Sequence, residues 1–392
     1  MADQFEVPFF FWVSGIAQPS DMFPYDNGLF PENDGEHDRF LILYSTNVGM
    51  GEHAAGLIYD QVHHRATMAL GIEDLGFTLP VEDHEDLWHP LEAVLSNWIE
   101  MVRIGKITAS QDDAANEKYG PWTWQPYAAR QVDSTIAAFA RLVAAIEDRV
   151  PGGSLLPARD GPLLTDADLD AASVPKTCFA RSLLTALPVP RFTAIAPGLL
   201  VPRDPEAFAV SQRFTTMNAS SDAGVVIPPV LLFAAADGRT TDFDSPNPYE
   251  SRNPFVQVYR DGVAHGDHSI PAGLYSESVD RSETDYAEEG FRLVLPFALG
   301  MRGVVDGRQG ARKSDGQSVS EGSVAELFQH GFKPFGGEWW RAQRLERLLD
   351  RWRELVETGV WTVGEKGVEG TIELFAEADS DRWMHYWIPP DW

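Results

Sequence analysis

Three settings in this chain bring histidine and acidic residues together at spacings that suit chemistry. In the first, His265-Gly-Asp267-His268 is followed much later in the chain by His330. A His-x-Asp with a distant second histidine is the spacing of a two-histidine, one-carboxylate site. Three ligands on one face leave open positions for substrate and oxygen, which suits ferrous iron. The expected metal ligands are therefore His265, Asp267 and His330, with a divalent metal such as Fe(II) as cofactor. Arg341 or Arg344, shortly past His330, would bind a substrate carboxylate through two parallel hydrogen bonds. The competing reading is a polar turn at 264–268, with His330 near the C-terminus of a helix and favoured there by the helix dipole.

The second setting is Glu82-Asp83-His84-Glu85-Asp86 with Trp88 and His89, which reads either as a cation site or as a solvated run before a helix. His84 and His89 miss the H-E-x-x-H spacing by one residue, and positions five apart do not share a helix face. The third is His63-His64, which on a strand would face opposite sides of the sheet. Asp242-Phe-Asp244 before Ser-Pro-Asn-Pro reads as a turn, and Asp112-Asp113 with Asn116 and Glu117 lacks the all-helical surroundings that diphosphate chemistry would need. No P-loop, dinucleotide fingerprint or nucleophile elbow is present. Cys178, the single cysteine, lies between apolar neighbours in VPKTCFARSLL and reads as a small core residue.

Charge narrows the possible partners. Lys and Arg number 31 against 59 Asp and Glu, a net charge of −28. Residues 1–150 hold 8 basic and 24 acidic side chains, a net of −16. Such a field opposes nucleic acid and anionic lipid, both of which need a basic footprint. It suits solubility, or a basic protein partner. The first residues carry acids rather than a positive leader, and no apolar run approaches the ~20 residues of a membrane span. A cytoplasmic, soluble protein is the expectation.

The elements that must position these groups follow from periodicity. Val7–Gly15, Phe40–Thr46 and Ala55–Asp60 read as strands. Leu91–Val102 and Asp133–Arg149 read as amphipathic helices, with Pro90 suited to the first turn of the former. Residues 150–165 carry the Pro and Gly expected of a domain boundary. Beyond it, Phe192–Val201, Val225–Ala234, Phe255–Tyr259 and Phe291–Leu299 read as strands interrupted by proline. Residues 302–322, with five glycines, read as a mobile loop. Glu338–Glu357 carries an apolar stripe through Leu345, Leu348, Leu349, Trp352, Leu355 and Val356. Its arginines, Arg341, Arg344, Arg347 and Arg351, would pack against the acidic first domain. Seven of the twelve tryptophans lie at or beyond Trp339, so the C-terminal end should be a packed module.

The fold expected is α+β: an acidic α/β-type N-terminal domain at 1–150, then a strand-rich domain at 166–392 closed by Trp-rich C-terminal helices. The expected function is an enzyme acting on a small molecule, with an oxygenase-type metal site. The alternative is a non-catalytic acidic protein that engages a basic protein partner.

Overall fold

A computed structural model describes residues 5–7, 11–13, 40–45, 56–69, 88–105, 107–109, 122–125, 127–217, 226–242, 269–280, 288–300, 310–331 and 343–389. They mix helices and strands, an α+β composition. The strand expected at Phe255–Tyr259 lies outside the described residues. The chain divides into two compact units, the second made of Ala129–Gly331 with Ala342–Pro390.

In the first unit, β1 (Phe5–Val7) and β2 (Phe11–Val13) form a short hairpin. A four-stranded antiparallel sheet follows, ordered β3 (Phe40–Ser45), β4 (Gly56–Asp60), β5 (Arg65–Ala69) and β6 (His89–Pro90). The helix α1 spans Leu91–Arg103, with Pro90 as the residue just before it rather than inside its first turn. Among its described side chains Val94 is buried, while Ile99 and Val102 are about half exposed. Strands β7 (Ile107–Ala109) and β8 (Trp122–Trp124) pair beyond it.

The second unit is built on helix α2 (Ala129–Glu147), which buries Val132, Thr135, Phe139, Leu142 and Ile146. These residues recur at three and four and so share one face. That face packs on α7 (Leu345–Glu357), whose apolar stripe is buried as its periodicity demands. Phe139 also stacks on Phe233, their ring centres 6.4 Å apart. The segment 150–165 is built into this unit: Leu163 and Leu164 are fully buried and the Leu156 N–H donates to the Arg191 carbonyl. Helix α3 (Asp166–Ala171) opens with a capping box, Thr165 and Asp168 each bonding the other's backbone N–H. Helix α4 (Phe179–Leu184) follows. Buried Arg181 ties the two together through Asp166, Asp170 and the carbonyls of Val174 and Pro175. Cys178 is a buried core residue at the start of α4, as its neighbours imply.

Seven short strands form the central sheet. The Phe192–Val201 run becomes a hairpin of β9 (Ala194–Ala196) and β10 (Leu199–Leu200) about Pro197-Gly198. Pro228-Pro229 splits the next run into β11 (Val226–Ile227) and β12 (Leu231–Ala235). Between β10 and β12 lie α5 (Pro205–Ser211) and α6 (Arg213–Met217). Farther on come β13 (Thr240–Asp242), β14 (Ser269–Pro271), β15 (Gly273–Ser276), β16 (Val279–Asp280) and β17 (Phe291–Val294). Strands β18 (Val363–Gly364) and β19 (Gly367–Val368) follow α7. The sheet order is β17-β15-β12-β10-β9-β19-β18, antiparallel except where β19 lies parallel to β9.

Two expectations are corrected here. Of the loop expected at 302–322, residues 302–309 lie outside the described residues, and 310–322 form a hairpin with Ala311, Ser314 and Val319 buried. The Lys313 N–H bonds the Gln317 carbonyl and the Val319 N–H bonds that of Ala311. The backbone N–H of Ala311 and of Gly300 both donate to the Asp379 carboxylate. The glycines that suggested mobility make the turns, Gly310, Gly316 and Gly322 all having positive φ. The arginine face of α7 also does something other than expected. Arg344 precedes the helix, and Arg347 and Arg351 donate to the carbonyls of Pro389, His385 and Met384, holding the C-terminal segment of the same unit. That segment, with the 3-10 helices α8 (Ile372–Asp379) and α9 (Trp383–Tyr386), buries Phe375 and Tyr386. Their rings meet Phe328 and Trp361 at centre distances of 5.9–6.2 Å, and Trp352 lies 5.9 Å from Trp361. Of the seven tryptophans of this end, Trp352 and Trp361 are fully buried in an aromatic core, Trp383 and Trp387 are half-buried, and Trp339, Trp340 and Trp392 lie outside the described residues.

Candidate functional site

An open groove of about 700 Å³ lies beside β12 in the second unit. One wall is the corner between α5 and α6. Asp204 accepts hydrogen bonds from the Glu206 and Ala207 N–H groups and so caps α5, whose first residue is Pro205. Gln212 then breaks the helix with an extended backbone. Its buried side-chain amide pairs with the Leu231 backbone, Nε2 donating to the carbonyl at 3.0 Å and Oε1 accepting from the N–H at 2.9 Å. The side chain acts as a strand partner and fixes the corner over the sheet. Val210 and Arg213 line the groove together with Ala234 and Ala235.

The opposite wall is the turn after β12. Asp237 accepts from the Arg239 N–H at 3.1 Å, and Gly238 takes the positive φ of 66° that the turn requires. The Ala272 N–H bonds the Arg239 carbonyl and closes this wall against Pro271. The Arg239 guanidinium is held by two carboxylates: its Nε donates to Asp237 Oδ2 at 2.7 Å and its Nη2 donates to Glu373 Oε1. The hydrogen-bonded Asp237 carboxylate pushes the guanidinium further above its ordinary value.

Exposed large apolar side chains are few in the described part of this unit. Met384 lies on the C-terminal segment, Leu200 on β10 and Val210 at the groove. Val210, at its rim, is 88% exposed. Leu200, also exposed, pairs in register with Ala234 of the groove wall. The groove walls hold few reactive groups. The Ser211 hydroxyl donates to the Phe208 carbonyl at 2.7 Å. Tyr275, beside the groove, donates to the Pro271 carbonyl at 2.7 Å, and burial pushes its phenol well above the ordinary value despite the nearby Arg213 charge. The phenol therefore stays protonated at neutral pH.

His265, Asp267 and Arg341 lie outside the described residues, as do Asp112, Asp113, Asp244 and the run Glu82–Asp86. His330 is 1% exposed. It does not end a helix: it follows a turn in which Phe328 has positive φ, and its carbonyl accepts from the Asp315 N–H. Around it, Ser314 accepts from Gln343 Nε2 at 3.0 Å, and Gln329 Oε1 meets no donor among the described residues. Arg344 pairs with Glu346 at 3.5 Å beside the start of α7. Among the described residues no three histidine, cysteine or acidic side chains come together as metal ligands.

His63 and His64 sit in the turn between β4 and β5 rather than on a strand. His63 Nδ1 lies 2.9 Å from buried Asp60, which also accepts from Arg65, and His64 Nδ1 lies 2.9 Å from the Tyr59 hydroxyl. The positive φ of His64, 52°, lets the two rings diverge. No protein-family model, curated protein or solved structure matches the chain. No helix among the described residues is long and apolar enough to cross a membrane.

The groove was not legible in the sequence. Its one local signal is Asp204-Pro205 opening a short helix that ends at a polar Gln212 before a second short helix.

Proposed function

We propose that the second unit binds a small molecule in the groove between Val210 and Arg239. The observation that carries this reading is a concavity of about 700 Å³, within the ~300–1,000 Å³ range of small-molecule sites, with Val210 exposed at its rim. Apolar surface left open to water around a concavity is a mark of binding. The test is a thermal-shift screen of small apolar and amphipathic compounds against the intact chain and against Ala234→Trp, which fills the groove. Hits that stabilise the intact chain and lose their effect in the variant support the reading. Hits indifferent to the substitution refute it.

The enzyme reading needs reacting groups beyond those of the groove, and the sequence offers His265, Asp267 and His330 with Fe(II), and Arg341 or Arg344 for a substrate carboxylate. The deep burial of His330 fits a ligand better than a surface histidine. Metal analysis of the purified protein tests this: about one equivalent of iron, lost in Asp267→Ala, supports it, and a metal-free preparation that also fails to take up Fe(II) overturns it. The alternative, an acidic protein engaging a basic protein, rests on the −28 net charge. It predicts capture of a cationic protein that weakens steeply with salt.

A further inference from the structure

Two neighbouring arginines of the second unit, neither of which lines the groove, are left without an acid. Elsewhere in this unit Arg141, Arg181, Arg239, Arg292 and Arg353 lie against carboxylates, as suits a chain with 59 acidic side chains and 31 basic ones. Arg159 and Arg203 bond only backbone carbonyls. Arg159 donates from Nη1 to the Arg203 carbonyl and from Nη2 to the Leu163 carbonyl, each at 3.1 Å. Arg203 donates from Nη1 to the Pro190 carbonyl. The adjacent Asp204 accepts instead from the Glu206 and Ala207 N–H groups as the cap of α5. Among the described residues no carboxylate comes within ion-pair distance of either guanidinium. The two cations are near enough to oppose each other: burial first, then the Arg159 charge, push the Arg203 guanidinium below its ordinary value. Arg191, next to Pro190, adds a third positive charge. Its Nε donates to the Leu156 carbonyl at 3.0 Å, and the Glu147 carboxylate accepts from its backbone N–H rather than from its guanidinium. A guanidinium has five N–H donors, of which Arg159 uses two and Arg203 one, so most of each fork is unbonded. An anion between them would replace a repulsion by two charge-assisted contacts.

We infer that Arg159 and Arg203 form an anion site that takes a phosphate group, either free or carried by a small molecule. A phosphate carries about −1.5 to −2 charge at neutral pH and offers at least three acceptor oxygens. It can therefore meet two cations and two forks together. A carboxylate has one charge and two oxygens, which a single fork satisfies. Nucleic acid and other long polyanions are opposed by the −28 net charge of the chain.

The probes are inorganic phosphate, glycerol 3-phosphate and acetate, titrated calorimetrically into the full-length protein at neutral pH and constant ionic strength. A phosphate should bind, and acetate should bind clearly more weakly. Arg159→Gln and Arg203→Gln should each weaken phosphate on the order of 10- to 100-fold. Arg141→Gln removes the same charge from an arginine already paired with Asp350 and should leave phosphate binding unchanged. Bound phosphate should also raise the Tm of the unaltered protein and of Arg141→Gln, but not that of Arg159→Gln. Circular dichroism checks folding, and the exposed position of Arg159 keeps the test available if Arg203→Gln does not fold. Tighter binding of glycerol 3-phosphate than of inorganic phosphate identifies a phosphomonoester as the ligand, and the reverse or equality identifies the free ion; both support the site. Three results overturn it. The unaltered protein binds neither phosphate, so that the arginines only tie backbone segments together. Acetate binds as tightly as phosphate. Arg141→Gln weakens phosphate as much as Arg159→Gln does, so that overall charge rather than a site is responsible.

Discussion

Replacing Trp352 by phenylalanine should cost little, although Trp352 is fully buried. Its indole lies 5.9 Å from the Trp361 ring on the face of α7 that packs against α2. Its Nε1 has no acceptor among the described residues. Truncation to alanine removes the whole ring from a site enclosed on all sides and should cost about 3–5 kcal/mol. Phenylalanine removes about three ring atoms, worth roughly 2 kcal/mol of burial at ~0.8 kcal/mol per carbon. Against that, it removes a buried donor whose desolvation costs about 1–3 kcal/mol. The two effects nearly cancel, leaving a net change within about 1 kcal/mol of zero. Trp387 makes the useful contrast. It is only half buried, but its Nε1 donates to the Lys313 carbonyl at 2.9 Å. Trp387→Phe loses both ring contact and a satisfied hydrogen bond, so it should cost about 2 kcal/mol. The more buried indole is therefore the more replaceable one. Urea unfolding followed by circular dichroism, extrapolated to water, resolves differences of this size. If Trp352→Phe costs as much as Trp352→Ala, or clearly more than Trp387→Phe, the indole N–H has a partner and the reasoning fails.

Arg181→Met should destabilise by about 2–4 kcal/mol in the same assay, and Arg181→Lys nearly as much, because one ammonium cannot span the four groups that the guanidinium joins. A loss within the error of the extrapolation would show that the α3–α4 tie contributes nothing to stability. Gly198→Ala should cost about 2–3 kcal/mol: φ is +68° there and the new Cβ would run into the Ile372 backbone nitrogen, so a variant as stable as the parent would contradict the close approach of the β9–β10 turn to α8. Burial pushes the Glu277 carboxyl above its ordinary 4.5, and Arg292 beside it only partly reverses this. The folded state therefore holds this proton longer than the unfolded one, and stability from this group is greatest in acid and falls as pH rises from 4.5 upward. Glu277→Gln removes that slope, so the variant should gain on the parent between acid and neutral pH; a constant difference would count against a raised carboxyl. The hairpin 310–322 should resist limited proteolysis, with the first cut, read by mass spectrometry, falling outside it.

Sequence alone settled the elements whose partners did not need to be known. The α7 stripe from Leu345 to Val356 is buried along its length because a three-and-four spacing puts apolar groups on one face whatever covers it. The packed tryptophan-rich end follows equally from the cost of leaving indole in water. Prolines 228 and 229 broke a strand where a missing N–H must break one. What lay beyond reach was decided by partners distant in the chain. The face of α7 meets α2, from the far side of the whole central sheet in sequence, and its arginines meet carbonyls of residues 384–389, a choice that charge pattern leaves open. Glycines 310, 316 and 322 look alike in a mobile loop and in a tight hairpin, and contacts such as Asp379 with Ala311 select the hairpin. The groove is decided the same way. Gln212 finds Leu231 and Arg239 finds the distant Glu373, and a concavity exists only where tertiary packing brings such segments together.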